Sequence, residues 1–228
     1  MHEFALSPSD KDLIVKRRGR LHAFETLDPS RTALLVVDMQ NAFVMEEVAH
    51  AWVPEAASIV PNINALAAAL RAAGGSVVWI KNTFTEDSLE SWSHFHEQLW
   101  APGRKEKRIA AMSEGTLGHR IYEGLEVRSE DTEVRKTRYS AFIQGSSDLE
   151  AILRQRGTAT NVCCESTAHD AMMLNFRTIM VSDANAAGSG EAHQASLASF
   201  WATFGDVRST AEVIGLVAAA AARRSAAE

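Results

Sequence analysis

The segment Gly157-Thr-Ala-Thr-Asn-Val-Cys-Cys-Glu-Ser-Thr167 brings a thiol, a glycine and small polar residues to the start of a predicted helix. Unpaired backbone N–H groups and the positive end of a helix dipole favour thiolate there, which makes Cys163 a candidate nucleophile; a cysteine entering a helix is also common as inert packing. Asp38 follows the apolar run Thr32-Ala-Leu-Leu-Val-Val. A carboxylate delivered by a strand end can take a thiol proton and return it to a leaving group, although the same residue type serves equally as a loop or capping aspartate. Lys136, in Val134-Arg-Lys-Thr-Arg-Tyr-Ser-Ala-Phe142, carries an ammonium able to stabilise ionised forms of both groups; alone it reads as a solvated surface charge. Together the three residue types suit nucleophilic attack on a carbonyl.

Such residues need elements that bring them together. Thr32–Asp38, Ser76–Asn82 and Arg177–Asp183 are apolar runs ending in a polar residue, the pattern of buried parallel strands. Over Ala57–Ala73, Ile59, Ile63, Leu66 and Leu70 recur at helical spacing, and Gly74-Gly75 closes the helix. Further helices are predicted over Ser147–Arg156, Glu165–Phe176, Glu191–Phe204 and Thr210–Arg224. Strands alternating with helices predict an α/β fold of three layers, α/β/α, with a mainly parallel sheet and ligands at the carboxyl ends of its strands. Residues 1–29 are expected to form an extension before a single domain over 30–228, and the Trp- and His-rich stretch 84–105 a long loop or short helices above the site.

Three motifs occur in order: Asp38-Met-Gln-Asn41, Lys136 shortly before Tyr139-Ser-Ala-Phe142, and Thr160-Asn-Val-Cys-Cys-Glu-Ser-Thr167 followed by Asp170-Ala171. Over about residues 30–210 the chain thereby resembles the isochorismatase-like cysteine hydrolases. Within them it looks most like the ureidoacrylate amidohydrolase branch, whose Trp-x-x-Asn at the end of the second strand is matched by Trp79-Ile-Lys-Asn82. The resemblance implies a Rossmann-like hydrolase fold and an Asp–Lys–Cys triad at Asp38, Lys136 and Cys163, with Cys164 in a variable packing position. It implies a non-proline cis peptide at Thr158–Ala159 and an oxyanion hole made by the backbone N–H groups of Ala159 and Cys163. Asn82, Phe84 and Tyr139 are the expected substrate contacts. The implied activity is hydrolysis of a C–N bond in a small amide or a ureido or carbamoyl acid, through a thioester-type acyl-enzyme. No cofactor is expected. No metal is expected either, because no Asp-x-His follows Asp38, and His50 and His94-Ser-Phe-His96 lack a placed carboxylate. Vinyl ether hydrolysis of the isochorismatase type is the alternative within the fold; it needs the aspartate but no thiol, and Cys163 speaks against it.

One departure stands out. Relatives carry an apolar strand between the helix ending Leu-Arg-x-Arg-Gly and the cysteine loop, whereas Ala151-Ile-Leu-Arg-Gln-Arg-Gly157 runs directly into Thr158. Roughly eight residues are missing, enough for one strand and its turn. The expectation is that these residues exist but are omitted from the sequence. A genuine deletion would expose neighbouring strand edges, misplace Cys163 and leave a catalytically silent scaffold. His169 also stands where relatives usually have Arg.

Composition narrows the partners. The 228 residues are 46% hydrophobic and 23% charged, which excludes a disordered chain, and Lys+Arg 23 against Asp+Glu 29 gives a net charge of -6. No basic field draws such a chain to nucleic acid, and the cluster Lys16, Arg17, Arg18, Arg20 reads as a solvated or subunit-facing arm. No apolar run reaches the ~18 residues of a membrane span, and the N-terminus lacks the pattern of a secretion signal, so a cytoplasmic location is expected. Adjacent Cys163 and Cys164 sit too close for an ordinary disulfide. A small amide or ureido substrate and a homo-oligomer, dimer or tetramer, are the partners the resemblance implies.

Overall fold

Period-two alternation along the first two strands explains the layers. The computed structural model describes residues 3–101, 103–156, 158–160 and 164–226, without the side chains of 155–164. Strands β1 (Thr32–Val37) and β2 (Ser76–Asn82) turn Leu34, Val36, Val77 and Trp79 to one face and Ala33, Leu35, Val37, Val78 and Ile80 to the other. Both sets are buried, so both faces of the sheet need helices.

Helix α1 (Pro8–Arg18) precedes β1, and the four-residue α2 (Asn41–Val44) follows it. The chain then runs through α3 (Val60–Ala72), β2, α4 (Glu86–Ser91), α5 (Ser93–Gln98) and α6 (Arg104–Met112). Next come β3 (Thr132–Lys136), α7 (Leu149–Arg156), β4 (Thr158–Thr160), α8 (Cys164–Met173) and β5 (Ile179–Val181). Last are α9 (Gly190–Thr203), β6 (Asp206–Arg208) and α10 (Thr210–Ser225). Helix α3 and α10 cover the first face through Ile63, Leu66, Leu70, Val213 and Val217; α7 and the α8 segment cover the second through Leu149, Leu153 and Ala171. The three-layer α/β/α arrangement is thus present, and no helix of the described residues is long and apolar enough to cross a membrane.

The sheet itself is divided. A four-stranded parallel sheet has the order β3-β2-β1-β4, and a two-stranded parallel sheet pairs β5 with β6. Among the described residues no ladder joins β4 to β5. Strand β4 covers only Thr32–Leu34 of β1, and the junction at Gly157 where relatives carry a further apolar strand lies outside the described residues. A cavity of about 190 Å³ lies in the gap, lined by Leu35, Val37 and Asp38 from β1 and its end, by Val181 at the end of β5 and by Ala184 and Asn185 after it. Strand β5 is also shorter than the predicted Arg177–Asp183; at its carboxyl end Asp183 turns away to accept hydrogen bonds from Thr210 N at 2.7 Å and Thr210 Oγ1 at 2.8 Å at the start of α10.

The amino-terminal segment packs on α9 and β6 through Leu6, Ile14 and Leu21. Lys16, Arg17 and Arg20 are exposed, as a solvated arm requires, but exposed Arg17 also donates to Ala202 O at 3.1 Å, and half-buried Arg18 to Gly205 O at 3.1 Å and to Trp201 O. These cations satisfy carbonyls at the carboxyl end of α9, where the helix dipole favours them.

Candidate active site

β1, β2 and β3 end side by side, and their register sets the site. Val37 pairs with Ile80 and Asn82 with Lys136, so Asp38, Asn82 and Lys136 emerge at one edge of the sheet. Asp38 N donates to Ile80 O at 2.9 Å. Its φ of 56° is left-handed, a conformation that aspartate tolerates better than most residues and that turns the carboxylate off the strand direction.

Lys136 is 0% exposed, and its Nζ donates to Asp38 Oδ2 at 2.8 Å and to Arg138 O at 3.2 Å. The lysine is thus the buried partner of the aspartate rather than a surface charge. Asp38 Oδ1 is buried and has no hydrogen-bond partner among the described residues. One carboxylate oxygen is held and the other is open to a proton donor.

Gln40 was not singled out by sequence reasoning, although it lies inside the Asp38-Met-Gln-Asn41 motif. It is fully buried, and its Nε2 donates to Asn82 O at 3.1 Å and His119 O at 3.0 Å while its Oε1 accepts from Asn82 N at 2.7 Å. Thr83 Oγ1 and His119 Nε2 lie 2.8 Å apart. This clamp joins the ends of β1 and β2 and presents Asn82, 3% exposed, whose Oδ1 has no partner among the described residues.

The predicted contacts Phe84 and Tyr139 belong to an aromatic wall. Trp92 and Phe95 stack at 3.8 Å, Tyr139 meets them edge-on at 5.3 and 5.5 Å, and Phe84 meets His96 edge-on at 6.3 Å. The segment 84–105 forms α4 and α5 rather than a loop, with α6 beginning at Arg104. Arg108, for which the sequence held no signal, and Arg138, beside the Tyr139-Ser-Ala-Phe142 motif, place their guanidinium groups over this wall.

Cys163 lies outside the described residues; α8 begins at the next residue, Cys164. Ala159, the other expected oxyanion donor, lies in β4 opposite Ala33. The described residues contain no cis peptide bond, and the Thr158–Ala159 pair expected to carry one forms extended strand in register with β1. His94 and His96 lie on α5, His96 buried among aromatic rings, and His50 packs edge-on to Phe43 at 5.1 Å.

Residues 32–212 match the Isochorismatase domain. The chain belongs to the isochorismatase family. It is 32% identical over 216 residues to the ureidoacrylate amidohydrolase RutB of Agrobacterium fabrum, covering 86% of this chain and 94% of that protein. A cysteine hydrolase from Pseudomonas syringae superposes with a TM-score of 0.72 at 27% identity, covering 86% of this chain and 97% of that one. N-carbamoylsarcosine amidase from Thermoplasma acidophilum superposes with a TM-score of 0.60 at 25% identity, over 79% of this chain and 96% of that one. This isochorismatase-family chain is therefore a hydrolase whose relatives include amidohydrolases.

Proposed function

We propose that the chain is a cysteine-dependent amidohydrolase that cleaves a C–N bond of a small amide or of a ureido or carbamoyl acid. The observation that carries this reading is the buried Lys136–Asp38 pair, 2.8 Å apart, with the second aspartate oxygen unpartnered at the strand ends. A lysine holding one oxygen leaves the other as an acceptor for a thiol proton. Cys163 supplies that thiol directly before α8, where the helix start favours the thiolate.

Asp38 takes the proton of Cys163, and the sulfur attacks the carbonyl carbon to give a tetrahedral oxyanion, which the backbone N–H groups of Ala159 and Cys163 stabilise. The C–N bond breaks, and Asp38 returns the proton to the departing nitrogen. Water then attacks the thioester or thiocarbamate carbonyl, giving a proton to Asp38 as the C–S bond breaks; the proton passes to the sulfur and the acid leaves. Asn82 and the aromatic wall position the substrate. The relatives named ureidoacrylate amidohydrolase and N-carbamoylsarcosine amidase support the ureido and carbamoyl class.

Incubation with a panel of small amides and ureido acids, reading ammonia, tests the reading. The wild type and Cys164→Ser are expected to release ammonia, and Cys163→Ser to release none above background. Turnover that survives Cys163→Ser would overturn the nucleophile. No ammonia from any compound would favour a vinyl ether hydrolase or a silent scaffold, the latter consistent with the divided sheet.

A further inference from the structure

Two buried polar side chains beside the site take no part in the chemistry above. Arg108 on α6 is 7% exposed, with its guanidinium carbon 4.8 Å from the Phe95 ring centroid and 5.7 Å from that of Trp92. Among the described residues no carboxylate forms an ion pair with it; Tyr139 and Asp38 act on its charge from nearby, and Asp38 is itself paired through Oδ2 with Lys136. His96 on α5 is 3% exposed, and neither ring nitrogen has a hydrogen-bond partner among the described residues. It shares the same two rings, 5.9 Å from Trp92 and 5.2 Å from Phe95.

A buried cation without a counter-ion and a buried imidazole with both nitrogens empty are each costly. Sharing the Trp92 and Phe95 rings, within electrostatic reach of each other and with Asp38 in reach of Arg108, they are satisfied by one ligand group: a planar carboxylate, which accepts two hydrogen bonds from a guanidinium and a third from an imidazole N–H. Burial, then the charge of Arg108, lowers the His96 pKa, so the ring is neutral near pH 7 and offers one N–H. Arg138 adds positive charge at 5.1 Å from Trp92 but is already tied to Ser91 Oγ and to Thr137. Half-exposed Tyr139 flanks the entrance.

We propose that Arg108 and His96 form a carboxylate-binding subsite that holds the acid end of the substrate, so that the chain selects ureido or carbamoyl acids over neutral amides. The selection rests on the amidohydrolase reading above; the carboxylate site does not. In the productive complex the carboxylate sits between α5 and α6 while the ureido carbonyl lies at Asp38 and Asn82.

The test compares 3-ureidopropionate with N-propylurea, which keeps the ureido group and lacks the acid. The wild type is expected to favour the acid in kcat/KM by at least about 30-fold, the discrimination typical of a charged hydrogen-bonded contact. Arg108→Gln should raise KM for the acid by a similar factor with kcat within threefold, leave N-propylurea unchanged, and be partly rescued by Arg108→Lys. His96→Phe should give a smaller rise for the acid alone. Equal losses on both compounds, or no loss on the acid, would overturn the subsite. If Arg108→Gln does not fold, the wild-type ratio of the two compounds and the Arg108→Lys variant decide. Calorimetric binding separates the two readings. An enzyme that cleaves neither compound yet binds 3-ureidopropionate in an Arg108-dependent way keeps the subsite and loses the amidohydrolase. One that cleaves both equally keeps the amidohydrolase and loses the subsite.

Discussion

A lysine with no exposed surface is costly unless its charge is answered, and Lys136 is answered by Asp38. Replacing it by Met removes one partner and leaves the carboxylate uncompensated. Lys136→Met is expected to lose stability by about 3 kcal/mol, while Asp38→Asn/Lys136→Met loses less than the sum of the single changes; urea unfolding of the four proteins measures the coupling. Histidines near the site set an acid limit. Burial, followed by the charges of Arg108, Arg104 and Lys107, pulls His50 from its ordinary 6.5 to about 4. Burial is also the first cause of the lowered values at His96 and His119. A folded pKa below the unfolded one means that the unfolded chain binds more protons between the two values. Stability from His50 is therefore complete above about pH 6.5 and falls as pH drops toward 4. Urea midpoints taken from pH 7.5 to 4.5 should show this decline, and His50→Leu should flatten it.

Individual elements depend on close approaches that tolerate no extra atom. At the junction of α3 and β2, a Cβ on Gly75 would collide with the Leu70 side chain and sit 2.9 Å from Pro29 O. Gly75→Ala is expected to cost about 1–3 kcal/mol, read as a lower urea midpoint with unchanged slope. The amino-terminal segment depends on one buried acid. Asp206 on β6 accepts from Phe24 N at 3.3 Å, and its Oδ1 lies 2.9 Å from His22 Nδ1. Asp206→Ala should loosen this attachment. Limited trypsin digestion is expected to cut at Lys16–Arg20 earlier than in the wild type, while β1–β3 stay intact; equal rates would show that the packing of Leu6, Ile14 and Leu21 alone holds the segment.

At the scale of the molecule, the divided sheet should divide stability. β2 is paired on both sides, whereas β5 is paired only with β6 among the described residues, and a cavity of about 190 Å³ lies on its other side. Native-state hydrogen exchange is expected to show Val77–Ile80 protected at least about 100-fold better than Ile179–Val181. Equal protection would mean that the two sheets unfold as one unit. The sequence by itself determined the three-layer class, the strand Ser76–Asn82 to the residue, the helices α7 to α10 to within a few residues, and the motifs of the family, because periodicity and short motifs are local signals. It did not reveal β3, whose Thr132-Glu-Val-Arg-Lys alternates polar residues at a sheet edge, nor helix α1, whose sparse apolar positions bury only Ile14. Only the tertiary structure decided that Lys136 is buried against Asp38, that Gln40 clamps two strand ends, and that Arg108 and His96 meet on one aromatic wall. Those relations join residues that are distant in the chain, and their energies come from burial and pairing, which no window of sequence contains.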